Sequence, residues 1–126
     1  MDLIQFKKIV FESARQVACD VAQIYEPNVT PNFYTAELEC ESEKLFLLCT
    51  HSDEWAFSKN FDIDGCNLSF VDTRALSEAL KSLFQIHPLS WAYLRSGFEK
   101  QPHQSLGDIQ YWKPQTNGEA IFNWWD

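Results

Sequence analysis

The chain has 126 residues, of which 45% are apolar and 15% aromatic, a composition that fits one folded domain and excludes a disordered chain. Its 18 acidic and 10 basic residues give a net charge of −8, which disfavours nucleic-acid binding because phosphate contacts need clustered cations. No run of 18 apolar residues is present that could span a membrane.

The first expected element is one long helix over residues 2 to about 25. Apolar residues recur there at spacings of three and four, as on the buried face of a helix: Leu3, Phe6, Val10, Ala14, Val17, Val21 and Ile24. Pro27 is expected to end the helix. The N-terminus lacks the basic region, apolar region and cleavage site of a signal peptide, so a cytoplasmic location is expected.

About four antiparallel strands are expected between residues 33 and 71. Residues 33–40 alternate between apolar and polar side chains, and residues 44–50 form a continuous apolar run, so the two predict a β-hairpin. The third strand is expected to run from Trp55 to Ile63 and to include Phe61. Asp64 and Gly65 predict a turn, and residues 68–71 a short fourth strand.

Helices are expected after the sheet. Asp72 is the predicted N-cap of a helix over residues 73–84, and Ser105 begins a short helical turn through Trp112. For residues 87–98, the sequence is compatible with either a helix or irregular structure. Thr116 and Glu119 form a capping box, which predicts a last helix that carries Trp124 and Trp125. This order of elements indicates an α+β domain with a long N-terminal helix, an antiparallel sheet and C-terminal helices.

Four cysteines occur without a CxxC pair: Cys19, Cys40, Cys49 and Cys66. Each lies in an apolar or strand-like context, so reduced thiols in the cytosol are expected. The alternative is a disulfide between Cys40 and Cys49, which could face each other across the hairpin.

Motifs for catalysis, metals and cofactors are missing from the sequence, so no catalytic, metal-binding or cofactor-binding residue is expected. The segment from Asp62 to Gly65 resembles part of a calcium loop, but a turn is the stronger interpretation. The best catalytic candidate is a Cys49 nucleophile with His51 as its base. Aromatic residues could instead line a ligand pocket, although core packing is their usual role: Trp91, Tyr93, Trp112, Trp124 and Trp125.

Acidic residues are concentrated in the predicted sheet. Residues 34–64 carry eight acids and two bases, a net charge of −6. The acids are Glu37, Glu39, Glu41, Glu43, Asp53, Glu54, Asp62 and Asp64. Crowded carboxylates repel one another, and a positively charged partner would relieve that repulsion. A solvated sheet face and a cation site are the alternatives.

The C-terminal segment resembles a motif of a known class of proteins. Tyr111-Trp112-Lys113-Pro114, followed by residues 118–126 (GEAIFNWWD), is similar to the closing segment WKPxxxGxxxFNxWD of small bacterial immunity proteins of contact-dependent growth inhibition and other polymorphic toxin systems. The resemblance implies a stoichiometric inhibitor of a cognate toxin, often a basic nuclease. A structural role is expected for the motif residues: Trp112, Pro114, Gly118, Phe122, Asn123, Trp124 and Trp125.

The sequence therefore predicts an immunity protein whose eight acidic residues bind a basic protein toxin, with no nucleic-acid or membrane partner. A small enzyme or ligand-binding domain is the alternative, and a self-associating scaffold is a third possibility. A homodimer is compatible with each of them.

Overall fold

A computed structural model describes residues 1–125 and shows the α+β fold predicted from the sequence. The elements, in chain order, are α1 Leu3–Gln16, β1 Asp20–Tyr25, β2 Phe33–Cys40, β3 Glu43–Thr50, β4 Trp55–Ser58, β5 Phe70–Val71, α2 Arg74–Phe84, α3 Trp91–Arg95, α4 Leu106–Trp112 and α5 Asn117–Ile121. The five strands form one antiparallel sheet in sequence order. Within this part of the chain, no helix has the length and hydrophobicity needed to cross a membrane.

The expected long helix is wrong beyond Gln16. Ala18 has a φ of 58°, which breaks the helix, and the chain returns as strand β1 at the edge of the sheet. An irregularity in the pairing of β1 with β2 lies between Val21 and Gln23. A bulge of this kind interrupts the strand's two-residue alternation, so the apolar spacing imitates a helix.

The sheet has a core on each face. On the first face, α1 and α2 cover the sheet, and Phe6, Leu47 and Leu80 are fully buried. On the second face, α3, α5 and the C-terminal segment cover only part of the sheet, around Phe33 and Leu48. This second face therefore has a packed region and an uncovered region.

Strand β4 ends at Ser58 rather than continuing to Ile63. The following loop folds back onto the second face, where Phe61 contacts the ring of Phe33. The side chain of Asn60 holds this loop, since it accepts from the Ser69 amide at 2.7 Å and donates to the Asn67 carbonyl at 2.7 Å.

Two of the three helix starts that the sequence predicts after the sheet agree with the structure. Ser105 and Thr116 accept hydrogen bonds from the backbone amides of residues 108 and 119, so both predicted caps are confirmed. The N-cap of α2 is Thr73, because the Asp72 carboxylate instead accepts from the Trp91 amide at 2.8 Å and fixes the start of α3.

The last helix is shorter than expected. It ends at Ile121, because Asn32 and Asn123 bind each other's backbone: the Asn123 amide donates to Oδ1 of Asn32 at 2.9 Å, and the Asn32 amide donates to the Asn123 carbonyl at 3.0 Å. Trp124 and Trp125 therefore follow the helix and do not belong to it.

A disulfide joins Cys19 and Cys40, which corrects the expectation of four reduced thiols. It links the start of β1 to the end of β2. The alternative pair of Cys40 and Cys49 is also wrong, because the hairpin register places Cys40 opposite Glu43 and Cys49 opposite Tyr34. Because Cys19 and Cys40 form a disulfide, the expectation of four reduced thiols cannot support a cytoplasmic location.

Candidate functional site: an acidic corner of the sheet

Four of the eight predicted partner-binding acids lie at one end of the sheet. Glu37 and Glu39 belong to β2, while Glu41 and Glu43 flank the turn into β3. The turn residues Glu41 and Ser42 both have positive φ, 52° and 70°, the backbone of a tight hairpin. This turn carries no glycine to relieve the steric cost of its conformation.

Asp20 is a fifth acid at this end, and it was not predicted as part of the site. Its Cα is paired with that of Glu39 across β1 and β2. The sequence could not indicate this contact, because the wrongly extended helix placed Asp20 in a different element. We call Asp20, Glu37, Glu39, Glu41 and Glu43 the acidic corner.

Little positive charge offsets the acidic corner. Lys44 is opposite Glu39 in the sheet, and its Nζ lies 3.9 Å from a carboxylate oxygen of Glu37. Within residues 1–125, the other four carboxylates form no ion pair, and each of these side chains is exposed. The corner thus presents four unneutralised carboxylates at one end of the sheet. The strand register places Asp20, Glu37 and Glu39 on the second face, whereas Glu43 shares the first face with Leu45.

Asp53 and Glu54 lie at the opposite end of β3, roughly 24 Å from the acidic corner for a strand of this length. Both are engaged in local structure. Asp53 accepts from Nε1 of Trp55 at 2.8 Å, and Glu54 accepts from the Thr50 hydroxyl at 3.1 Å and lies 3.4 Å from Nε2 of His103. The structure therefore does not bring these two acids into the corner.

Asp62 and Asp64 belong to the loop between β4 and β5. The Asp62 carboxylate accepts from the Asp64 amide at 2.9 Å, and the Gly65 amide donates to the Asp62 carbonyl at 3.0 Å. This segment is the turn that the sequence predicted. Across residues 1–125, no three His, Cys, Asp or Glu side chains are grouped to hold a metal ion.

An open cleft of about 1240 Å³ adjoins the acidic corner. Its apolar lining comes from α1's C-terminal end, the hairpin, β5 and α2, and includes Val17, Leu45, Val71 and Leu76. Glu41, Glu43 and Asp72 supply carboxylates to the cleft, and Lys44 and Lys59 supply amines. The Cys19–Cys40 disulfide also lines it, so the cross-link joins the cleft wall to the acidic corner.

The geometry around Cys49 does not favour a catalytic thiolate. The side chain is fully buried in the core under α1, whereas His51 is exposed in the turn after β3. Burial raises the pKa of the Cys49 thiol far above its ordinary value, and the nearby Asp53 carboxylate raises it further. A nucleophilic cysteine needs the opposite shift and access for a substrate.

Four tryptophans line a second groove, of about 940 Å³, on the side formed by α3 and the C-terminal segment: Trp91, Trp112, Trp124 and Trp125. The rings of Trp112 and Trp125 are parallel within 3°, with centroids 5.9 Å apart. Arg95 lies over the Trp91 ring at 4.5 Å. The fifth predicted aromatic, Tyr93, packs against the second core.

Residues of the C-terminal motif pack the fold. Phe122 is buried against Phe33, and Trp124 donates from Nε1 to the Ile63 carbonyl at 3.0 Å. Asn123 donates from Nδ2 to the Ala120 carbonyl at 3.0 Å. Half-buried Pro114 follows α4 and precedes α5, and Asp126 lies outside the described residues.

Comparison with known proteins finds no match for this chain among family models, curated proteins or solved structures. The functional interpretation therefore depends on the acidic corner, its adjoining cleft and the resemblance of the C-terminal segment.

Proposed function

We propose that this protein is an immunity protein, a stoichiometric inhibitor that binds a basic protein toxin through the acidic corner. The observation that carries the proposal is the gathering of five carboxylates at one end of the sheet, four of them without an ion pair in residues 1–125. Their mutual repulsion raises the free energy of the unbound protein, and a lysine- or arginine-rich surface would remove that cost.

A cationic toxin is the partner that this chemistry favours. Nucleases carry basic clefts because their substrates are phosphodiesters, and such clefts attract carboxylates at long range. An inhibitor docked there would exclude the substrate without any chemical step of its own. The immunity-type C-terminal segment supports the same class of function, although its residues pack the fold and do not reach the corner.

The direct test takes any candidate toxin domain encoded beside this gene, co-expresses it in cells and then titrates it calorimetrically with the purified protein. We expect protection from growth arrest, one-to-one binding, and an affinity that falls as salt rises. Replacing Glu39, Glu41 and Glu43 by lysine should abolish protection and weaken binding at least tenfold.

A matched control carries the same change of charge elsewhere, at the exposed residues Glu26, Glu78 and Glu99. It should keep protection and affinity near the wild-type level. Equal losses in both triple variants would show that net charge matters and the corner does not. Full protection by the Glu39, Glu41 and Glu43 variant would contradict the proposed docking surface.

The tryptophan-lined groove favours ligand binding as a second candidate function, because four large aromatic side chains converge there. Ligand binding at this groove would alter tryptophan fluorescence. A Trp91→Ala variant that protects cells fully, while a fluorescence-detected ligand no longer binds, would favour this second function.

A further inference from the structure

Helix α1 exposes a stripe that alternates apolar and basic residues. Ile4, Lys8, Phe11 and Arg15 are spaced by four, three and four, which places them along one line of the helix. That line is opposite the buried residues Phe6, Val10 and Ala14. We call these four exposed residues the α1 stripe.

The α1 stripe is unpartnered within residues 1–125. Ile4 is 83% exposed and Phe11 47%, both high values for large apolar side chains. Lys8 and Arg15 make no ion pair in this part of the chain. The stripe thus combines apolar area that would gain from burial with two unpaired positive charges.

The cleft beside the acidic corner has the complementary chemistry. Val17, Leu45, Val71 and Leu76 contribute apolar surface, and Glu41 and Glu43 provide carboxylates at the hairpin. Lys44 and Lys59 also line the cleft together with Asp72, so its three carboxylates outnumber its two amines, and the charge of Lys44 is offset by Glu37 at 3.9 Å. An occupant of this cleft needs apolar side chains flanked by cations, which the α1 stripe provides.

We infer that the cleft of one copy binds the α1 stripe of a second copy, so that the protein self-associates head to tail. The two surfaces of one copy cannot meet, because the stripe points away from the sheet whereas residues just after the same helix line the cleft. When this contact is repeated head to tail, it is a heterologous interface that builds rings or open chains.

This inference goes beyond the proposed inhibition of a toxin and is tested without one. Glu41 and Glu43 belong both to the acidic corner and to the cleft, so self-association and toxin binding would compete for the same carboxylates. The assembled form would then store the protein and would dissociate when a cationic partner binds these carboxylates with higher affinity.

The experiment measures molar mass by light scattering and sedimentation over a range of protein concentrations, at about 20 mM and about 500 mM salt. The expected result at low salt is a mass that grows with concentration beyond twice the 14.7 kDa monomer, and a return toward monomer at high salt. A monomer at every concentration, or a dimer indifferent to salt, would overturn the inference.

Charge reversal identifies the surfaces. One variant carries Lys8→Glu and Arg15→Glu, and another carries Glu41→Lys and Glu43→Lys. Each alone should weaken association at least tenfold, while an equimolar mixture of the two should associate again, since each variant then meets a complementary surface on the other.

Matched controls with the same changes of charge are Lys81→Glu with Lys100→Glu, and Glu26→Lys with Glu99→Lys, all at exposed positions. Both controls should associate like the wild type. Circular dichroism and thermal unfolding of every variant distinguish lost contacts from lost folding. Folded variants that fail to recover association when mixed would contradict the pairing of stripe and cleft.

Discussion

Single residues explain much of how the second core is closed. Gly118 is buried in α5, and a Cβ built there would overlap Cε2 of Phe70 and lie 3.0 Å from the Leu94 carbonyl oxygen. Real Cβ atoms do not approach other atoms so closely, so only glycine lets α5 pack against β5 and α3. This close approach of three elements is a packing role for Gly118.

We predict that Gly118→Ala destabilises the protein by about 1–3 kcal/mol, the usual cost of overpacking a core. This is opposite to the gain that alanine normally brings to a helix. Gly107→Ala in α4 is the control, because its Cβ would contact only the Ser105 hydroxyl at 3.7 Å. Urea unfolding of both variants measures the difference, and equal stabilities would contradict the packing argument.

Cys49 gives a second prediction at this scale, through the raised pKa of its buried thiol. The folded state keeps this thiol protonated, whereas in the unfolded chain it loses its proton near pH 8.5. Its contribution is therefore fully present below that pH and is lost as pH rises, by up to about 1.4 kcal/mol per pH unit.

Urea unfolding between pH 7 and pH 10 tests this dependence. Cys49→Ala should be less stable than the wild type at pH 7, because a buried sulfur is removed, yet should lose less stability toward pH 10. Cys66→Ala, at a half-buried cysteine, should keep the wild-type slope. Identical slopes in all three proteins would exclude Cys49 as the titrating group.

At the scale of elements, the sequence predicted the central hairpin well and the edge strand badly. β2 and β3 follow their alternating and continuous apolar patterns, because both faces of these strands are set by burial. β1 was interpreted as helix, since its pairing irregularity hides the alternation. An edge strand is fixed by its pairing with its neighbour more than by its own pattern.

The same error hid the disulfide and one of the five acids of the site. Cys19 and Asp20 face Cys40 and Glu39 only once β1 runs antiparallel to β2. Conversely, Asp53 and Glu54 were grouped with the corner by their sequence charge, and the length of β3 separates them. Charge clusters in a sequence become surface clusters only after the register of the strands is known.

We predict that the disulfide stabilises the edge strand and the acidic corner together. Its cysteines are 21 positions apart, and closing a loop of that size constrains the unfolded chain by roughly 3 kcal/mol. Cys19→Ser combined with Cys40→Ser should lower the free energy of unfolding by about this amount, and hydrogen exchange in β1 should accelerate.

Cys66→Ser is the control for this pair, because Cys66 takes no part in the disulfide. It should leave β1 exchange unchanged. Unfolding free energies that agree within error between the double variant and the wild type would show that the cross-link does not constrain the unfolded state as expected.

At the scale of the whole molecule, charge is distributed asymmetrically. Asp20, Glu37 and Glu39 of the acidic corner lie on the sheet face opposite α1, whereas the strand register places Glu43 on the same face as α1. The exposed bases of α1, Lys8 and Arg15, lie on the side of the helix that points away from the sheet. The five acids of the corner with Lys44 carry −4 of the net charge of −8, so repulsion is concentrated there. Such repulsion is screened by salt when the charges are exposed.

We predict that the wild-type protein gains stability as salt rises from about 20 mM to about 300 mM. A variant with Glu39→Gln, Glu41→Gln and Glu43→Gln should start more stable, by several tenths of a kcal/mol for each relieved pair, and gain less from salt. Thermal unfolding in a sodium chloride series measures both effects. An unchanged salt response in the glutamine variant would place the repulsion elsewhere.

The reciprocal bonds between Asn32 and Asn123 have a consequence for how the protein is made. They join residues 91 positions apart, and Phe122 completes the second core immediately beside them. During translation, the sheet can pair while its second face still lacks this cover. That face stays open to chaperones, proteases or neighbouring nascent chains until residues 120–124 have left the ribosome.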